Sequence, residues 1–281
     1  MKLIRFATVL LAMMMAETLC AQDKTWPWDF PQGITIEAEP GQTILTCQGS
    51  YFDKIESGED LMKSVLIWYT RTMEQVGPEK SDIGRTDKKL VPNALIIPLK
   101  KGQKAKKGDV LLTWWQSGSG LDRAVVIDAS NPAEPVAVYL DRYWRDDPED
   151  AKNKELAKGE QLKPSSFNVL KDGEWQPGVT VAYRDGGEWK KGIVMNISGD
   201  KVLLQVFSSH LFATTKDRCK IIPFKEKIKK GDKVWATFVD GFRDGYVVKV
   251  INEKVGRVWV QREGRTNMEC KAIDEVTKVL N

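Results

Sequence analysis

Histidine is almost absent from this chain, with His210 the single example in 281 residues. That excludes a His-rich metal cluster, and a Ser-His-Asp or Cys-His arrangement would have to use this one imidazole, which follows Ser208-Ser209 in a polar stretch. Cysteine is scarce as well: Cys20, Cys47, Cys219 and Cys270 lie far apart, which is neither a disulfide framework nor a paired-Cys zinc motif. There is no large excess of one charge sign. A formal charge of +4 is too mild to make nucleic acid the first expectation. Also missing are a phosphate-cradling Gly-rich loop, a calcium-loop pattern and a Gly-x-Ser-x-Gly elbow, and no two carboxylates are spaced so as to be brought together. No catalytic residue, metal ligand or cofactor is therefore expected. Hydrophobic residues at 42% and charged residues at 29% are ordinary for a globular chain and argue against both disorder and a multi-span membrane protein.

Only one long apolar run is present. Met1, Lys2, Leu3, Ile4 and Arg5 precede the run Phe6 to Ala16, the basic-then-apolar layout of a secretory signal peptide and too short to span a bilayer comfortably. Cleavage is expected after Ala21, ahead of polar Gln22-Asp23-Lys24; lipid attachment at Cys20 is disfavoured by the Glu17-Thr18-Leu19 approach to it. The expected location is secreted or periplasmic, with no transmembrane span after signal removal. Loss of residues 1 to 21 removes Lys2, Arg5 and Glu17 and lowers the formal charge from +4 to +3.

What the chain has in abundance is self-similarity. KGDVLLTWWQSGSGLDRAVVID from Lys107, QPGVTVAYRDGGEWKKGIVMNI from Gln176 and KGDKVWATFVDGFRDGYVVKV from Lys230 share one template. Each opens with a Gly-containing turn and continues with alternation: Leu111, Thr113 and Trp115; Val179, Val181 and Tyr183; Val234, Ala236 and Phe238. That alternation marks a strand with one buried face. A polar turn follows, then a second strand in which Leu121, Trp189 and Phe242 stand three positions before Ala124, Gly192 and Gly245. A small residue there lets a strand bend or approach a neighbour closely. The third strands are Val136 to Tyr139, Leu204 to Phe207 and Val258 to Gln261.

Upstream, Leu95-Ile96-Ile97-Pro98-Leu99 echoes Lys220-Ile221-Ile222-Pro223-Phe224, and the Lys-rich connectors 100 to 107 and 225 to 230 follow the two. Duplication of a pair would make residues 33 to 99 a divergent further copy, with Pro40-Gly41 as its opening and an elongated hairpin around Gly58 to Lys63. Asp147-Pro148-Glu149-Asp150 and Gly159 frame a short helix in a charged linker. Trp235 and Trp259 fall on the face opposite Val234, Ala236, Val258 and Val260 and are expected to pack against a neighbouring unit or a partner. Cys219 and Cys270, each followed by Lys and an apolar pair, read as equivalent buried strand positions, with a bridge between them left open.

The order Gly-Asp, strand ending in an aromatic, Asp-Gly turn, bulky residue, small residue, Val-x-Val-aromatic resembles Tudor-like domains of the Src-homology-type small-barrel group. The likeness covers about 107 to 145, 176 to 224 and 230 to 275, and is weaker over 33 to 99. It implies an all-β chain of tandem small Tudor-like barrels: a signal peptide at 1–21, a divergent N-terminal β domain at 33–99, barrels at 107–145, 166–224 and 230–281, and a charged linker with a short helix at 146–165. In Tudor domains that read methylated Lys or Arg, an aromatic cage holds the cation by its ring faces. Carried over residue by residue, the cage positions are Trp115, Asp122, Tyr139 and Tyr143 in one unit, Tyr183, Lys190, Phe207 and His210 in the next, and Phe238, Arg243, Gln261 and Gly264 in the last. Trp115, Tyr139 and Tyr143 are thus the candidate binding residues, with Tyr183 and Phe207 secondary. The ligands open to such a cage in an exported protein are choline-like headgroups, a methylated surface protein, or a flat apolar or sugar surface.

The functional expectation is a non-catalytic exported binding or assembly protein that presents tandem barrels to a protein or cell-envelope partner. Two alternatives stand beside it: nucleic-acid binding through the Lys connectors, disfavoured by charge and export, and an enzyme with its site in residues 33–99.

Overall fold

The computed structural model describes residues 30–31, 43–48, 67–72, 80–82, 90–117, 121–207 and 210–280. The expected signal peptide at 1–21, Pro40-Gly41, and the hairpin expected at 58–63 lie outside them. The described chain is all-β, with strands in antiparallel sheets and a single short α-helix. Among the described residues no helix is long and apolar enough to cross a membrane.

One strand order recurs. After β1 (Thr43–Gln48), β2 (Ile67–Thr72), a small hairpin of β3 (Lys80–Asp82) and β4 (Leu90–Pro92), and a 3₁₀ turn at Asn93–Leu95, β5 (Ile96–Pro98) returns to pair with β1, which also pairs with β2. The next sheet comprises β6 (Val110–Trp114), β7 (Leu121–Asp128), β8 (Val136–Tyr139), β9 (Glu160–Gln161) and β10 (Asn168–Leu170), and β10 pairs back onto β6. Helix α1 (Ala151–Leu156) lies between β8 and β9. The third unit runs β11 (Thr180–Asp185), β12 (Glu188–Ser198), β13 (Lys201–Gln205), β14 (Leu211–Thr215) and β15 (Cys219–Ile221), with β15 on β11. The fourth runs β16 (Lys233–Phe238), β17 (Gly241–Asn252), β18 (Arg257–Arg262), β19 (Met268–Ala272) and β20 (Val276–Thr277), with β20 on β16. Each complete unit is a meander whose last strand folds back onto its first. Among the described residues no ladder joins the fourth strand of a unit to its fifth, so each complete unit is a curled five-stranded meander, and the third and fourth are joined into one ten-stranded sheet where Lys190 of β12 pairs with Gly241 of β17.

The repeated openings have a local cause. Gly108 and Gly231 take φ of 84° and 90°, and the adjacent Asp109 and Asp232 carboxylates accept the backbone N–H of Lys106 (2.7 Å) and Lys229 (2.9 Å). The same Lys-Gly-Asp sequence thus closes the same turn twice, ahead of β6 and β16.

Three features depart from the repeat as read along the chain. The second unit continues beyond residue 145: β9 and β10, in the stretches assigned to the linker and to the following barrel, complete its sheet. Strands of two and three residues are too short to show alternation, and the charged insertion at 140–159 hides their origin. In the fourth unit the gapless match fails inside β17. Ala236 faces Arg243 while Val234 faces Tyr246, so Trp235 stands opposite two residues, a β-bulge in which Gly245 takes φ 76°. Tyr246, not Gly245, then occupies the position of Ala124 and Gly192. Gly192 itself sits in a tight place, since a Cβ there would lie 3.0 Å from the Leu204 side chain, which would have to give way. Finally, Cys219 follows a 3₁₀ turn on a fifth strand whereas Cys270 precedes one on a fourth strand; the positions are not equivalent, and both thiols are free.

The units pack on one another. A single apolar cluster takes in Ile44, Leu45 and Ile96 of the first unit, Leu112 and Val125 of the second, and Val181 and Val194 of the third. Trp259 is buried edge-on against Trp144 of the second unit (ring centroids 6.2 Å), with its indole N–H donating to the Arg145 carbonyl at 3.2 Å. Trp235 packs with Ala182, Trp189 and Ile222 of the third unit. Gly256 (φ 63°) presses so closely on the second unit that a Cβ would meet Leu140 and Val125 at 2.8 Å each.

Candidate binding site

The second unit carries a cavity of about 280 Å³ at the end of its sheet. Trp115 follows β6, Tyr139 ends β8, Arg142 and Trp144 come from the segment after it, Glu155 and Leu156 from α1, and Glu160 from β9. The helix is held in place from within. Asp150 caps it by accepting the Lys152 N–H, and buried Asn153 donates to the Arg145 and Asp147 carbonyls and accepts the Arg145 N–H. The charged insertion that interrupts the repeat thus builds one wall of the cavity.

Trp115 and Tyr139 stand together on the cavity, and their shared cation is one of the chain's own. The Arg142 guanidinium lies 4.1 Å from the centroid of Trp115 and 5.9 Å from that of Tyr139. Its Nε is 2.7 Å from a carboxylate oxygen of buried Asp122. Tyr139 accepts the Gln116 N–H and donates its hydroxyl to Glu160 Oε2 at 2.8 Å, and Ser117 reaches the same oxygen at 3.3 Å. Burial and the neighbouring carboxylates push the Tyr139 phenol above its ordinary range, so it acts as a neutral donor here.

The other expected residues lie elsewhere. Tyr143 is 71% exposed, outside the cavity, with the Arg145 guanidinium 5.5 Å from its ring. Trp144, the next residue, points the opposite way and supplies the third ring. Tyr183 is buried against Phe212 (5.0 Å), while Phe207 is exposed on the rim of a second cavity of about 330 Å³ with Val239, Lys191 and Glu275. Among the described residues no group of His, Cys, Asp and Glu is arranged to hold a metal.

Behind the cavity lies a buried ionic cluster that joins three units. Arg123, fully buried, donates to Asp141 through Nε (3.0 Å) and Nη2 (2.5 Å) in its own unit, and through Nη1 to Thr180 of the third unit and Asp274 of the fourth. Lys191 pairs with Glu275 at 2.6 Å, and Arg257 donates to the carbonyls of Tyr139, Leu140 and Arg142. Burial alone would raise the carboxyls of Asp141 and Glu275. For Asp141 the Arg123 charge wins and holds it at about 2, and Lys191 does the same for Glu275, also at about 2. Asp122 is the exception: burial and then the Asp141 charge push it to about 7, against the pull of Arg142 and Arg123.

Arg142, Trp144 and Glu160 were not singled out in the sequence. A signal for the first two was present in Tyr139-Leu140-Asp141-Arg142-Tyr143-Trp144-Arg145, where aromatic and arginine residues interleave. No protein-family model and no curated protein matches the chain.

Proposed function

We propose that this is an exported, non-catalytic binding and assembly protein whose units are Tudor-like small barrels, and that it meets a cell-envelope or protein partner through the cavity of the second unit. The observation that carries this reading is the cavity itself: three aromatic residues, Trp115, Tyr139 and Trp144, surround it together with two convergent polar groups, Arg142 and Glu160. Concave, largely apolar sites with a few placed polar groups are the usual form of a binding site. The fold-back of last strand onto first supports the small-barrel relation. The ionic cluster behind the site supports a preformed seat, because it anchors β7, which carries Asp122, to the segment after β8, which carries Asp141 and Arg142.

The test is retention of the mature chain, residues 22–281, on insoluble envelope polymer and on envelope protein fractions across a range of salt. Retention that persists at high salt and weakens in Trp115→Ala supports the reading. No retention on any envelope fraction, or retention untouched by Trp115→Ala, counts against it.

A further inference from the structure

We propose that the two lysine-rich connectors, 100–107 and 225–230, form one cationic surface that docks on a membrane carrying anionic phospholipid headgroups. This goes beyond the proposed function and uses no residue of the second-unit cavity. Local sequence builds the two connectors alike. Lys104-Ala105-Lys106-Lys107-Gly108-Asp109 and Lys227-Ile228-Lys229-Lys230-Gly231-Asp232 share a pattern in which one apolar residue, Ala105 or Ile228, is buried and the lysines around it are exposed. Backbone ties fix both. The Gly102 N–H donates to Ser165 Oγ (3.1 Å) and the Ala105 N–H to the Pro132 carbonyl (2.8 Å), while the N–H groups of Gly108 and Gly231 donate to the carbonyls of Val126 (2.8 Å) and Val248 (2.9 Å). The connectors are thus held tracks that point lysines outward.

Tertiary packing brings the two tracks together. A cavity of about 340 Å³ between the second and fourth units is lined by Gly108, at the end of the first connector, and by Lys225, Lys227 and Ile228 of the second. Nine lysines against Asp109, Glu226 and Asp232 give residues 100–109 and 225–232 a net charge of +6 within a chain of +4, so the rest of the chain is net −2. Apart from Lys101, none of the nine has an ion-pair partner among the described residues, although Lys107 acts on the Asp128 carboxyl and Lys229 on that of Asp232. The exposed Lys154, Lys158 and Lys171, by contrast, each pair with a carboxylate. Unpaired like charges that share a surface repel over a range of about 8 Å at physiological salt. The cluster therefore does nothing for the fold and is relieved by negative charge from outside.

The surroundings favour an extended lipid surface over other anions. Glu226 and Glu253 also border the cavity and oppose a small free anion inside it, whereas a surface laid across the rim meets the lysines first. Neither connector contains an arginine or an aromatic residue, and the exposed rings of Trp115, Tyr143, Phe207 and Phe238 do not line this cavity. The planar forks that read bases and the rings that stack on them are therefore missing here, which disfavours nucleic acid. Lysine ammonium groups on flexible stems respond to charge density, which a layer of anionic headgroups supplies. Phe224, Ile228 and Ile251 wall the cavity and set apolar surface beside that charge, a combination that matches a phospholipid and finds no counterpart in a phosphate polymer.

The experiment is flotation of the mature chain, residues 22–281, with vesicles of phosphatidylcholine alone and of phosphatidylcholine mixed with phosphatidylglycerol, at low and high salt, and with duplex DNA as a competing polyanion. The expected result is flotation with the anionic vesicles only, lost at high salt. Lys225→Gln with Lys227→Gln should weaken it about 25-fold, at about fivefold per lysine, and Lys104→Gln with Lys107→Gln should do the same. Lys154→Gln with Lys158→Gln removes equal charge elsewhere and should change it less than about threefold. Thermal unfolding checks that each variant keeps its fold. Equal losses in all three pairs would reduce the effect to net charge and overturn the proposal, and a loss confined to one connector would show that the two share no surface. Flotation with neutral vesicles, tighter binding of duplex DNA at the same salt, or no flotation at all overturns it as well. Salt-resistant retention on envelope fractions, the test of the proposed function, does not depend on these lysines, so either reading can fail while the other stands.

Discussion

Replacing Arg123 by Met should unlock the junction of three units. The guanidinium is fully buried and holds Asp141 of its own unit, Asp274 of the fourth and Thr180 of the third. Methionine fills much of the same volume, so the packing loss is modest; the main effect is electrostatic. Asp274, fully buried, would keep only the Thr180 hydroxyl, and Asp141 would lose the charge that holds its carboxyl low. Removing one partner of a buried ion pair costs about 3–5 kcal/mol, and at roughly 2–4 °C per kcal/mol for a chain of this size the melting temperature should fall by about 6–20 °C. Calorimetry of the mature protein near neutral pH reads this directly. The double variant Arg123→Met with Asp274→Asn should recover part of the loss, because the stranded carboxylate is then neutral. A fall of less than about 3 °C in the single variant, or further destabilisation in the double one, would refute the view that this cluster locks the units together.

Asp122→Asn should flatten the pH dependence of stability on the neutral side. The folded carboxyl, raised to about 7, keeps its proton where the unfolded chain releases it, so wild-type stability is greatest below the unfolded value of 3.8 on this account and declines as pH rises to about 7. Urea unfolding at several pH values between these limits checks it, and equal slopes in both proteins would contradict it. Gly256→Ala combines a left-handed backbone with a Cβ 2.8 Å from Leu140 and Val125 and should cost about 2–5 kcal/mol, whereas Gly264→Ala, with φ 76° and open space around it, should cost only the backbone strain of about 1–3 kcal/mol; equal losses in urea unfolding would remove the close-approach argument. Cys219 and Cys270, both pushed up to about 12 by burial, should resist a thiol reagent at mildly alkaline pH until the chain unfolds, as site-resolved mass spectrometry can measure; rapid modification of Cys219 in the native protein would contradict its burial.

Strand periodicity was legible because it is a local property. Alternation in 110–114, 180–185 and 233–238 and the Gly-containing openings identify first strands wherever they occur, and the echo of Leu95–Leu99 with Lys220–Phe224 falls on returning strands, β5 and β15, at the same place in the meander. Where local pattern is thin, reading along the chain falters. β9 and β10 have too few residues to alternate, and a one-residue bulge moves Tyr246 into a position that a gapless match gives to Gly245. Of the candidate site, Trp115 and Tyr139 line one cavity, while Tyr143 lies outside it and Trp144, which no motif marked, lines it. Neighbouring residues outside regular strands can point either way, and Trp144 packs inward among Val138, Val255, Trp259 and Arg257, contacts that no short-range pattern encodes.

The sequence by itself determined the all-β character, the repeated turn chemistry and the scarcity of groups for His- or Cys-based catalysis, since these depend on residue type and short-range spacing. Tertiary structure alone decided that Arg142 occupies the face of Trp115 and that Arg123, Asp141, Thr180 and Asp274 meet in one buried cluster. Those partners lie up to 151 residues apart, and their meeting reflects how three units pack, which no local periodicity encodes.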